Sequence, residues 1–442
     1  MAESKDLMKT ISDDFINFES GLNGEKHKYY HKMRREAFED FSKQGIPTLK
    51  HEYWKYANLG FLRRNDFRPA LEMPEFMLSR TEIEQHLIKG LDCSLLVFVN
   101  GFLQEELSDG LGVSGKLKIS SLKKEMEKGS LELEKHLGKY ARFDKNPFSS
   151  LNTAFLQDGA YILAEKSYQP DKPVMILSIC DAAKGDMICN NRNLFVALEN
   201  SRLDIIEKTV TIGGNAGFSN TLTEIYSGGS SIVNHHIIND DREGSYHIDS
   251  VFAAQEKYSL YQNYTYNLSG SFTRNNINTE HLDEHIETNY FGIYLLKDKE
   301  FSDSHTFIDH AKPNCQSNEV YKGIVDDMAT AVFNGKILVR KDAQKTNAYQ
   351  SNKNVLLSDD ATVNTKPELE IYADDVKCSH GATSGYLDSD SLFYLRSRGI
   401  SKEKAKAMLL GAFMADVTEK IDIEDLRNYI DSKVILKLNL NE

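Results

Sequence analysis

The chain has 442 residues, 40% hydrophobic and 27% charged, an ordinary balance for a globular protein long enough for more than one domain. Its formal net charge of −13 argues against a nucleic-acid binder, which neutralises phosphates with clustered Lys and Arg. No run approaches the ~20 apolar residues that cross a bilayer. The charged start MAESKDLMKTISDDF lacks a signal peptide's apolar core, so a cytoplasmic, membrane-free protein is expected.

The first segment carries a helical period. Leu7, Ile11, Phe15 and Phe18 recur at spacings of three and four, and Tyr30, Met33, Ala37, Phe38 and Phe41 continue the pattern. Gly45 and Pro47 stop it. TLKHEYWKYANL follows with the only tryptophan, Trp54, expected as a packing anchor. In LLVFVNGFLQ the Asn100-Gly101 pair suits a two-residue hairpin turn. Charged segments near 79–90 and 121–140 read as solvated helices. Residues 1–150 are therefore expected to form a helical region with a small β-hairpin.

From about residue 150 to 375 short alternating runs dominate, among them TLTEIYSGGSSIVNHHIIND, TNYFGIYLL, AVFNGKILVR and LEIYADDVKC. That many strands overfill one flat sheet, so a sandwich, a barrel or a solenoid must dispose of the edges. Short Asn/Asp/Gly-rich loops favour stacked coils over a sandwich, but no clean repeat is visible and periodicity alone leaves the β-helix open. Residues 151–386 are expected to form this β core. A helical segment, 387–442, follows, in which SKEKAKAMLLGAFMADV places Ala405, Met408, Leu409, Ala412 and Phe413 on one stripe.

The five cysteines, Cys93, Cys180, Cys189, Cys315 and Cys378, are widely spread without a C-x-x-C pair, which fits free thiols in a reducing compartment. His235 and His236, adjacent in a strand, point to opposite faces and cannot share a metal. His281 and His285 have the spacing of an i,i+4 metal pair, but the surroundings are not helical. Gly213 to Gly217 lacks the Lys-Ser/Thr of a phosphate loop and reads as a turn. No G-x-S-x-G elbow supports acyl transfer.

DDVKCSHGAT, Asp374 to Thr383, holds more chemistry. If VKCSH ends a strand, Cys378 and His380 share a face and Ser379 takes the other. A thiol and an imidazole together suit zinc, copper(I) or the iron of an iron–sulfur cluster. Asp374 and Asp375 are expected to raise the thiol's pKa, which disfavours a freestanding nucleophile. Two donors fall short of the roughly four that such a centre needs. Distant residues could complete the site, a second protein could, or the stretch is only a polar turn.

The run HTFIDHAKPNCQSNEVYKGI, from His305 to Ile324, and the stretch from FNGKILVRKD to SHGATSGYLDSDSLFYLRSRGI resemble the SufB/SufD family of the SUF iron–sulfur cluster assembly machinery. The likeness covers about residues 190–417. The EYWKY element at 52–56 and the short helical tail resemble the branch that pairs with SufB. That resemblance implies a mainly β fold, a right-handed parallel β-helix core flanked by α-helical N- and C-terminal segments. It implies a non-catalytic scaffold subunit in a complex with SufB and the ABC-type ATPase SufC, with no cofactor held stably by the chain alone. A transient iron–sulfur cluster would form at the junction with SufB, which supplies a cysteine. His380 matches the histidine supplied from the C-S-H-G motif, and Cys378 matches the same motif with a less defined role. SufC would dock on the C-terminal helices, which makes Met408, Leu409, Ala412 and Phe413 a partner-facing candidate. A homodimer of the isolated chain is also compatible. Two other readings stay open: a purely structural partner that never touches metal, and a β-helix carbohydrate-active enzyme, although those are usually exported.

Overall fold

The computed structural model describes residues 7–22, 29–73, 78–143 and 146–438. At its centre the chain winds as a parallel β-solenoid of about eight turns, crossing between two facing sheets in every turn. The first sheet runs from Ala160–Ala164 to Thr362–Ile371, and the second from Val174–Asp181 to Lys377–Tyr386. Tyr246 pairs with Phe272, Phe272 with Phe301 and Thr330 with Thr362, so these turns take 26, 29 and 32 residues. The unequal lengths hide the repeat from the sequence.

The corner that leads from the first sheet to the second repeats a backbone device. Asn200, Ser230, Tyr258, His285, Asn314 and Lys345 all adopt left-handed φ values of 58–61° there. One such residue reverses the chain sharply, and Asn accepts that conformation most readily. The N–H of Asn200 donates to the Gly229 carbonyl (2.8 Å), and the N–H of Asn314 to the Gln344 carbonyl (2.9 Å), which stacks corner on corner.

Between the sheets lie Ile176, Phe195, Ile205, Ile225, Val251 and Ile277, joined further along by Tyr261, Tyr290, Tyr294 and Tyr321. Burying each such aliphatic side chain contributes ~1.5–3 kcal/mol. The helices Leu7–Gly21, Tyr29–Gln44 and Pro147–Ala154 cover part of the first sheet, where Phe15, Trp54, Phe61 and Phe148 meet Phe218, Ile248 and Phe272. Trp54 is the anchor expected, and the Arg274 guanidinium stacks 3.9 Å from its ring centre. The Asn100-Gly101 turn forms as read, with φ of 53° and 83°, between Ser94–Val99 and Phe102–Leu103. The longer of these strands pairs with Val174–Asp181 and covers one end of the second sheet. The two charged segments give shorter helices than expected, Arg80–Glu84, Leu122–Lys128 and Leu131–His136. Gly129, in the left-handed region at 64°, breaks the second from the third.

Candidate functional site at the open end of the solenoid

The two ends of the solenoid differ. The N-terminal end is closed by added strands, with Leu117–Ser121 antiparallel to Ala160–Ala164 on the first sheet. At the other end Thr362–Ile371 and Lys377–Tyr386 are the last strands of their sheets. Their burial falls away sharply, and every residue from Ser379 to Tyr386 is exposed. A terminal strand keeps a row of unpaired N–H and C=O groups, ready to accept another strand.

The candidate pair stands on this strand. Lys377–Tyr386 begins at the VKCSH stretch, so the motif opens a strand instead of ending one. The shared face survives that correction, because Cys378 and His380 are still two residues apart on a pleated strand. Cys378 is half-buried beside Ile337, Val339, Ala348 and Ala373. Burial pushes its thiol above the ordinary value, with a backbone hydrogen bond at Ala348 acting in the opposite sense. The neighbouring carboxylates are not the cause, contrary to the sequence reading. They sit in the corner turn, where the Asp375 carbonyl accepts from the Lys345 N–H (2.6 Å). His380 is exposed. Among the described residues, no group of three or more His, Cys, Asp or Glu side chains is arranged to hold a metal ion.

The inward column of the second sheet explains what lies behind His380. Tyr290, Glu319, Gln350 and His380 occupy the same register position in four successive turns. Gln350 Nε2 donates to Glu319 Oε2 (2.9 Å), and Thr306 Oγ1 donates to the same oxygen from the facing sheet (2.8 Å). Gly335 makes room opposite, since a Cβ there would come within 2.2 Å of Gln350 Nε2 and displace the amide. Nothing in the sequence marks Glu319 and Gln350 as neighbours of His380. Only their offsets of roughly one solenoid turn could have found them.

The other candidates separate. His235 faces inward to Glu207 (2.7 Å), while His236 faces outward and stacks on Tyr264, with a ring separation of 4.4 Å. His281 ends its strand and bonds Thr288 (2.8 Å), whereas His285 lies in the next turn against Tyr258, so the two form no metal pair. Gly213 turns with φ of 83°, as a turn residue should.

On the helix Lys402–Thr418 the expected stripe is offset. Ala405, Leu410, Met414 and Val417 are buried, and the last three pack with Ile206, Ile238 and Phe291 of the second sheet's outer face. Met408 and Ala412 are exposed, and Leu409 and Phe413 are half-buried. Lys322 fixes the seating by donating to the Phe413 carbonyl (2.6 Å) and pairing with Asp416. The preceding helix, Ser389–Ser397, buries no residue and leaves Phe393 74% exposed.

Fold and site together define a β-solenoid protein that presents a thiol and an imidazole at an uncapped end. Residues 179–413 match the family described as "SUF system FeS cluster assembly, SufBD core domain", and residues 6–176 match "SufBD protein N-terminal region". The chain is 33% identical over 391 residues to an iron–sulfur cluster assembly SufBD family protein of Synechocystis, covering 86% of this chain and 85% of the relative. It is 30% identical over 399 residues to the iron–sulfur cluster assembly protein SufD of Escherichia coli, covering 88% of this chain and 89% of that one. The chain belongs to the SufBD family of iron–sulfur cluster assembly proteins. No described helix is long and apolar enough to cross a membrane.

Proposed function

We propose that the chain is a non-catalytic scaffold subunit that builds iron–sulfur clusters only in a complex with SufB and the ATPase SufC. The observation that carries this reading is the placement of His380 and Cys378 on the uncapped terminal strand Lys377–Tyr386. Donors on an unpaired edge are completed most simply by a second solenoid laid against that edge, here SufB with its cysteine. The cluster is cargo, made and given away. An imidazole suits that task, because it is a neutral ligand and releases iron more readily than a thiolate does.

The strand is chemically fit for close approach. Ser379, Gly381, Ala382, Thr383, Ser384 and Gly385 are small, and a Cβ added at Gly381 or Gly385 would meet nothing within 4 Å. Met408, Leu409, Ala412 and Phe413, with the bare face of Ser389–Ser397, provide the surface for SufC. Docking there would let ATP-driven movement of the C-terminal helices reach the cluster site, through the second sheet on which those helices rest.

Co-expression with SufB and SufC tests this reading. The expected result is a three-component complex carrying iron and sulfide, and His380→Ala should keep the complex assembled while its iron and sulfide fall. Normal loading in that variant would leave the chain a purely structural partner, and a loaded cluster in the lone chain would remove the shared site.

A further inference from the structure

Gln350 is held in an asymmetric way. Its amide nitrogen is spent on Glu319, and its carbonyl oxygen Oε1 is buried with no hydrogen-bond partner. An orphaned acceptor in an interior costs free energy unless something reaches it. The next inward residue of the column is His380, one strand spacing of about 4.8 Å further along the solenoid axis. The ring of His380 has no hydrogen-bond partner among the described residues.

We infer that Gln350 is the positioning residue of His380: its amide oxygen takes one imidazole N–H and leaves the other ring nitrogen bare for iron. The inference rests on His380 being the donor proposed above. Glu319 sets the polarity of the arrangement. Burial pushes the Glu319 carboxyl up to about 7, and in its ionised form it draws the NH2 end inward, so the carbonyl end is the one left for the histidine. Thr306 holds the carboxylate from the facing sheet, and Gly335 clears the space the amide occupies. Metal-bound histidines commonly give their second N–H to such an acceptor, which fixes the tautomer and the ring plane. The column thus extends the cluster site two turns into the solenoid, through residues that never touch the cargo.

The test uses the full chain with ring-labelled histidine, His380 being assigned by its loss in His380→Ala. In the native chain the His380 nitrogen shifts should report one dominant tautomer. Gln350→Met keeps the volume and removes the acceptor, and should give averaged tautomers. In the complex with SufB and SufC it should lower cluster content roughly ten-fold. The double variant Glu319→Gln/Gln350→Glu reverses amide and carboxylate while again presenting an oxygen to His380, and should restore both the single tautomer and most of the cluster. Unchanged nitrogen shifts in a folded Gln350→Met chain would overturn the inference, as would a folded double variant that restores neither. If His380→Ala itself leaves cluster content normal, the donor assignment fails instead. The two failures are thereby told apart.

Discussion

The Arg192 guanidinium and the Glu224 carboxylate form an ion pair in which both side chains are fully buried, on neighbouring strands of the first sheet. Glu224 also accepts from the backbone N–H groups of Gly138 (2.8 Å), Tyr140 (2.8 Å) and Ala141 (2.9 Å). Arg192 donates to Thr153 Oγ1 (2.8 Å). One pair therefore ties the Pro147–Ala154 helix and the segment before it to the solenoid. Glu224→Ala leaves a buried cation and three amides without an acceptor, and should cost about 3–5 kcal/mol in denaturant unfolding. Arg192→Met/Glu224→Gln should recover part of that loss, because no charge remains and an oxygen still faces the amides. A loss below about 1 kcal/mol for the single variant would show that this pair does not fasten the N-terminal region.

What the sequence disclosed depended on range. Asn100-Gly101 was readable because two adjacent residues carry the whole turn. The β content and the flanking helices were readable for the same reason, through local period. The solenoid was not, because turns of 26, 29 and 32 residues keep equivalent positions out of phase. The C-terminal helix is legible from its period, but apart from Ala405 the residues it buries, among them Leu410, Met414 and Val417, are not those of the stripe read there. Leu409 and Leu410 are alike in sequence, and only the sheet beneath selects Leu410. At the open end the residues Cys378 and His380 were visible, whereas Glu319 and Gln350 were not. Polar residues in an alternating strand read as solvent-facing, and here they line the interior.

Protonation of interior histidines should set an acid limit on stability. The rings of His281 and His310 pack edge to face at 4.5 Å, each bonded to one hydroxyl, of Thr288 and Ser317 respectively. Burial pushes His310 down to about 3, and burial together with the neighbouring His310 holds His281 well below its ordinary value. Both are neutral in the folded chain and titrate near 6.5 when unfolded. Their contribution is therefore complete above pH 6.5 and lost as pH falls below it, down to about 3 for His310, by up to about 1.4 kcal/mol per unit for each ring. Urea unfolding between pH 7.5 and 5 reads this slope. His310→Gln should flatten it by about one ring's share, and an unaltered slope would contradict the assignment.

Edge pairing at the open end predicts a separation of folding from assembly. Gly381→Lys and Gly385→Lys add side chains where a Cβ meets nothing within the chain, so thermal stability should move by less than about 1 kcal/mol. Lysines on an edge strand oppose the approach of another strand. The double variant should therefore stay folded and lose SufB by at least ten-fold in a pull-down or titration. Retention of full SufB binding would place the junction on another surface.

The offset of the Lys402–Thr418 helix makes the last prediction a contrast between neighbouring positions. Met414 is buried against the second sheet, so Met414→Asp puts an unpaired carboxylate into an apolar contact and should detach the helix, costing about 2–5 kcal/mol. Met408 is 48% exposed and Ala412 is exposed one turn further on. Met408→Glu/Ala412→Glu should leave unfolding within about 0.5 kcal/mol of the native chain. If this face receives SufC, the same pair should abolish its binding while SufB still binds, since the open end lies on separate strands. Binding of SufC unaffected by both charges would move the docking surface to the exposed Phe393 face of Ser389–Ser397.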